Sequence, residues 1–196
     1  MINLAIIEDD LDFRDGLQHY LRAQPSFSCE WVAESMEEFF EQLQTAAPPE
    51  IILMDSGLPG MSGLSAMPLL KAKYPALNII LLTVYYDPHK VFDALRAGAC
   101  GYLLKNAPLT EIKETIALIH AGGASMSPPI ARQVLEHFAK THSPATLTAP
   151  EKEITTGVVE GLNYKTLAAR LSLSPEAVRS QIKSIYQKLH VPAKSN

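Results

Sequence analysis

Residues 51–55 read Ile51-Ile52-Leu53-Met54-Asp55, four apolar side chains in a row closed by a carboxylate. A strand with one wet face alternates apolar and polar residues. A run without alternation fits a strand covered on both faces, which belongs to a parallel sheet. Three more runs share the form, Leu4-Ala5-Ile6-Ile7, Ile79-Ile80-Leu81-Leu82 and Tyr102-Leu103-Leu104, and a weaker one over 27–35 carries Trp31 and Val32. Between them, helical spacing covers 11–23, 36–45, 64–74, 88–97 and 108–121, with Phe13, Leu17 and Leu21 at i, i+4 and i+8. Five β–α units in succession predict an α/β fold, an open, doubly wound, five-stranded parallel sheet with helices on both sides.

The signal changes after residue 121. Gly122-Gly123 reads as a helix stop, Ser127-Pro128-Pro129 opens a short helix to about Ala139, and 140–145 reads as a linker. Thr148-Ala149-Pro150-Glu151 is a capping box with proline inside it, opening a helix that stops at Gly161. Asn163 caps a second helix through Leu171, and Ser174-Pro175 starts a third that runs to about His190. Three helices, the last two joined by a short turn, give the helix-turn-helix plan of a second, small all-α domain. The expected domains are therefore 1–121, a linker with a short helix over 122–147, and 148–196.

Composition narrows the class. The chain has 196 residues, 47% hydrophobic and 19% charged, enough to bury a core. No apolar run approaches the ~18 residues of a membrane span. The first run is followed by Glu8-Asp9-Asp10 and has no basic flank, so no signal peptide is expected. Cys29 and Cys100 are the two cysteines and have no metal or redox spacing, which fits a reducing, cytoplasmic setting. Residues 1–121 hold 16 Asp/Glu against 8 Lys/Arg, a net −8, and residues 122–196 hold 5 against 9, a net +4. An acidic front and a basic back suggest a cation in front and nucleic acid behind.

In an open α/β sheet the ligand sits beyond the carboxyl ends of the strands. There the runs end in Glu8-Asp9-Asp10, Asp55, Thr83 and Lys105. Carboxylates converging in one crevice repel one another unless a cation joins them, and Mg²⁺ suits one or two carboxylates with a carbonyl and waters. Lys105 adds an ammonium and Thr83 a hydroxyl, donors that suit a transferred phosphoryl group, with an Asp able to accept it. The plainer alternative is acidic loop ends that cap helices, as Asp10 would.

Residues 1–121 resemble a two-component receiver domain, and the whole chain resembles the NarL/LuxR-type response regulators. The residues that carry the likeness are Ile6-Ile7-Glu8-Asp9-Asp10, Leu53 through Gly63, Leu82-Thr83 and Gly98 through Lys105. The resemblance implies a flavodoxin-like receiver of strand order 2-1-3-4-5 in which Asp55 is the phosphoryl acceptor. It implies that Asp9 binds Mg²⁺ directly, Glu8 through water, and that the Gly57 carbonyl completes the set. Thr83 and Lys105 would grip phosphoryl oxygens, and Tyr102 would turn inward as Thr83 is drawn to them. Three positions depart from the family's habit. Val84 follows Thr83 where a smaller residue is usual and would narrow access to the acyl phosphate. Asn106 replaces a frequent proline after the lysine, so a cis bond is less expected, and Ser56 stands where a larger apolar residue is common.

On a helix turning ~100° per residue, Val178, Ile182, Ile185 and Leu189 share one side. Glu176, Arg179, Ser180, Lys183 and Gln187 lie opposite, with Lys188 on the flank. An apolar stripe backed by a cationic, hydrogen-bonding one is what a recognition helix needs, although a solvated helix face looks similar. Leu147 through Glu151, Gly161 through Ala168 and Ala177 through Lys183 resemble the family's DNA-binding signature. The likeness implies base and backbone contacts from Arg179, Ser180 and Lys183 and a phosphate contact from Lys165. The family usually adds a fourth helix where this chain stops at Asn196; without that cover the domain is expected to expose apolar surface and bind DNA poorly as a dimer.

The expected role is a cytoplasmic, non-enzymatic signalling protein. A sensor histidine kinase and promoter DNA are its expected partners, RNA polymerase is a further candidate, and phosphorylated copies pair; no membrane is involved. Two other readings stand beside it. One is a receiver whose output domain contacts protein instead of DNA. The other is a Mg²⁺-dependent phosphohydrolase, which would need a general acid commonly placed two residues after Asp55, where Gly57 cannot serve.

Overall fold

A computed structural model describes residues 1–140 and 146–189. Five strands, β1 (Ile2–Ile7), β2 (Phe27–Ala33), β3 (Ile51–Asp55), β4 (Asn78–Thr83) and β5 (Gly101–Leu104), form one sheet in the order β2-β1-β3-β4-β5. Every pairing is parallel, with Leu4 opposite Ile51, Ile52 opposite Ile79 and Leu82 opposite Leu103. The two-sided burial agrees with the unalternated runs, and the order 2-1-3-4-5 is the one the receiver resemblance implies.

Leu4, Ile6, Leu53, Ile80 and Leu82 pack on one face with Leu17 and Leu21 of α1 (Leu11–Arg22) and Ile112, Ile116 and Ile119 of α5 (Leu109–His120). Side chains alternate along a strand, so Ala5, Ile7, Ile52, Met54, Ile79 and Leu81 point to the other face, and they too are buried. Three further helices follow β2, β3 and β4: α2 (Met36–Gln42), α3 (Gly63–Lys73) and α4 (Pro88–Ala97). Cys29 and Cys100 are buried free thiols, and burial pushes Cys29 up to about 12, so it carries no reactive thiolate.

The later helices are α6 (Pro128–Lys140), α7 (Ala149–Val159), α8 (Tyr164–Leu171) and α9 (Pro175–Leu189). The start signals read from sequence operate as written. Thr148 and Glu151 make the reciprocal capping box, Asn163 accepts from the Thr166 amide, and Ser174 accepts from the Ala177 amide. Ser172 closes α8 in the left-handed region, φ 54°, an unusual conformation for serine that turns the chain toward α9 within three residues. The expected linker core over 141–145 and the chain end over 190–196, which takes in the expected end of the third helix at about His190, lie outside the described residues.

The chain divides into two compact units, residues 1–86 with 97–120, and residues 87–96 with 121–196. The division differs from a cut at 121 in one element: α4 groups with the second unit, where the Phe92 ring meets His137 of α6 edge-on at 5.8 Å.

Candidate functional site

The carboxyl ends of β1, β3, β4 and β5 bring together four of the residues read from sequence. The backbone links that fix them run from strand to strand: the Glu8 amide donates to Ala33, Ser56 to Leu82, and Lys105 to the Thr83 carbonyl at 2.9 Å. The Lys105 ammonium lies 2.7 Å from Glu8 Oε1 and 3.3 Å from Asp55 Oδ1. Glu8 is wholly buried, Asp55 is 5% exposed, and Asp9 is exposed at the rim. Carboxylate oxygens of Glu8, Asp9 and Asp55 all lie within 4.8 Å of one another. Gly57 is beside them, since a Cβ there would stand 3.3 Å from Asp55 Oδ2.

The charges in this crevice do not balance. Burial raises the Glu8 carboxyl above its ordinary range, and the Lys105 and Asp10 hydrogen bonds offset this only in part. Burial alone would lower Lys105, but Glu8 and Asp55 outweigh it and hold the ammonium firmly charged. Three carboxylates face one ammonium, and Glu8 Oε2 is buried with no hydrogen-bond partner among the described residues. An orphaned carboxylate oxygen inside such a cluster fits a hard divalent cation.

Thr83 is at the crevice edge with its hydroxyl donating to the Tyr85 carbonyl at 2.9 Å. The Tyr102 ring is half-buried, 5.5 Å from the Tyr86 ring. Val84 and Tyr85 stand out in solvent, 55% and 82% exposed. No cis peptide occurs among the described residues, the Lys105–Asn106 bond included.

Sequence reasoning passed over two neighbours of this crevice. Arg14 is buried on α1, its Nη1 3.2 Å from the Glu8 carbonyl and 3.1 Å from Glu34 Oε1. Its signal was legible in retrospect, a cation spaced i, i+3 and i+7 with Leu17 and Leu21 on the buried stripe. Phe13 lies under Lys105, its ring centre 5.4 Å from Nζ, a contact that crosses the fold and leaves no local trace.

In the second unit, α9 buries Val178, Ile182, Ile185 and Leu189 as its spacing required. Ser180, Gln187 and Lys165 are exposed, and Arg179 and Lys183 are partly so. Lys188 does not join them. Its Nζ is 2.6 Å from Glu151 Oε2 and 3.1 Å from the Thr146 carbonyl, so a flank position that sequence offered to DNA serves to tie α9 to α7. Ser184 adds a bond to Glu151 Oε1 at 3.0 Å.

Residues 4–117 match the response regulator receiver domain family, and residues 145–196 match the bacterial regulatory proteins of the luxR family. The transcriptional regulatory protein LiaR of Bacillus subtilis (strain 168) is 31% identical over 195 residues, which cover 97% of this chain and 92% of LiaR. The chain belongs to the LuxR-type response regulators. A solved LuxR-family two-component response regulator from Aurantimonas sp. SI85-9A1 is 26% identical, with a TM-score of 0.61 over 70% of this chain and 98% of that one. RcsB of Salmonella typhimurium shares the fold, with a TM-score of 0.60 at 23% identity over 97% of this chain and 93% of that one. This response regulator thus joins a receiver with an acidic crevice to a LuxR-type DNA-binding domain, and its relatives are transcriptional regulators. Among the described residues no helix is long and apolar enough to cross a membrane.

Proposed function

We propose that Asp55 accepts a phosphoryl group from a sensor histidine kinase in a Mg²⁺-dependent reaction. Its phosphorylation state then governs promoter binding by the helix-turn-helix. The observation that carries this reading is the convergence of Lys105, Glu8 and Asp9 on one carboxylate at the tip of β3. An Asp55 oxygen forms the new bond to phosphorus as the bond from phosphorus to the donor histidine nitrogen breaks. A Mg²⁺ ion held by Glu8, Asp9 and Asp55 with the Gly57 carbonyl would supply charge neutralisation at the phosphoryl oxygens.

The chain's own residues do the rest. The Lys105 ammonium, already against Asp55, remains to pair a phosphoryl oxygen. For Thr83 to donate to another, its hydroxyl must leave the Tyr85 carbonyl. That breaks one tie within the loop carrying Val84, Tyr85 and Tyr86, whose Tyr86 ring lies against that of Tyr102. Arg179, Ser180 and Lys183, with Gln187 beside them and Lys165 on α8, would meet bases and phosphates of DNA. The same reading puts the protein in the cytoplasm and has phosphorylated copies pairing on their site.

The test is a mobility-shift titration on duplexes selected from a randomised library, with and without acetyl phosphate and Mg²⁺. The donor is expected to tighten binding about ten-fold, a usual size for coupling between two sites, and to leave Asp55→Asn unmoved. Equal binding under both conditions, or a donor response in Asp55→Asn equal to that of the parent, would contradict it.

A further inference from the structure

The segment that leads into α6 is seated on the helix-turn-helix by its backbone. The Ala124 amide donates to the Arg179 carbonyl at 3.1 Å. The Tyr186 hydroxyl donates to the Ser125 carbonyl at 2.6 Å. The Tyr164 hydroxyl holds Met126 twice, accepting from its amide at 2.8 Å and donating to its carbonyl at 3.2 Å. Ala124 and Met126 are buried by these contacts, so 124–126 is built into the second unit although the luxR-family match begins only at 145.

The consequence falls on Arg179. Its guanidinium lies over the Tyr164 ring, 5.6 Å from the centroid, within the range of a cation–π contact. Its Nε is buried and makes no hydrogen bond among the described residues, so at that atom the ring, and not a polar partner, defines its course. Tyr164 is the first residue of α8, and a tyrosine there would swing about its χ angles if its far end were free. Both of its ends are fixed, one by the helix and one by Met126. An arginine aimed by a fixed platform loses less freedom when it meets a base edge, which raises affinity and sharpens base choice.

We propose that Tyr164 is a positioning residue for DNA recognition: its ring, pinned by the Met126 backbone, is the platform that orients Arg179 toward a base. The claim rests on the reading of Arg179 as a DNA contact.

A double-mutant cycle on the full chain, titrated against duplexes selected from a randomised library, tests it. Tyr164→Leu is expected to weaken binding about five-fold where Arg179 is present and less than two-fold in an Arg179→Ala background. It should also flatten base preference at the same position that Arg179→Ala flattens. Tyr164→Phe, which keeps the ring but releases Met126, gives a smaller loss that again vanishes without Arg179. If Tyr164→Leu fails to fold by circular dichroism, the Tyr164→Phe cycle decides alone. Equal losses in both backgrounds, or none in either, overturn the positioning role while Arg179 remains a contact. Unchanged binding by Arg179→Ala alone sinks the contact, and the platform with it.

Discussion

Thr83 has one hydroxyl, which now serves the Tyr85 carbonyl and which the proposed phosphorylation of Asp55 would draw to a phosphoryl oxygen instead. Removing the hydroxyl therefore separates chemistry from response. Thr83→Ala is expected to take up phosphoryl on Asp55 yet show no donor-dependent gain in DNA binding, checked by mass measurement beside a mobility shift. At the other end of the chain, Lys183→Ala should weaken binding and lower the slope of log K against log salt by about one, as loss of one phosphate contact requires. At this scale the sequence was partly legible. The position of Asp55 at a strand tip could be read, because the end of an apolar run is a local signal. Residues whose role is set by a partner far along the chain could not, as when Lys188 proves to belong to Glu151, or Phe13 to Lys105.

Elements show where close approach and buried charge hold the parts in place. Gly63 opens α3 so near β3 that a Cβ there would stand 2.6 Å from the Asp55 carbonyl oxygen. Gly63→Ala must push helix and strand apart, and we expect a loss of about 1–3 kcal/mol in chemical denaturation together with slower phosphorylation of the displaced Asp55. On the DNA-binding side, Glu151 anchors α7 to α9. Burial alone would raise its carboxyl, but Lys188, Thr148 and Ser184 outweigh this and hold it below the ordinary value of 4.5. The folded state thus favours the ionised form. The stabilisation is full above pH 4.5 and is lost as pH falls through the depressed folded value. Denaturant titrations should find the helices weaker at pH 4 than at pH 7, with Glu151→Gln shrinking that difference and costing ~2 kcal/mol at neutral pH. Helices, strands and caps were legible because their signals are local, as with Thr148-Ala149-Pro150-Glu151. The grouping of α4 with the second unit was not, because its amphipathic spacing states that one face is covered and leaves the cover unspecified.

Across the whole molecule, an acidic crevice and a basic helix occupy the two halves whose charges are −8 (16 acidic against 8 basic residues) and +4 (5 against 9). The parallel sheet, the gathering of charged residues at its carboxyl edge and the helices after residue 148 followed from periodicity and from where each run ends, whereas the strand order came from the family resemblance. The seating of 124–126 on α8 and α9 did not, since on the segment's own side it uses backbone groups that every residue carries. What unites the account is a single covalent event at the tip of β3. Intact-mass measurement after treatment with acetyl phosphate and Mg²⁺ tests it most directly. The account predicts one added phosphoryl group per chain, none in Asp55→Asn and none when the metal is chelated. An unmodified parent chain, or an Asp55→Asn chain that gains the same mass, would contradict it.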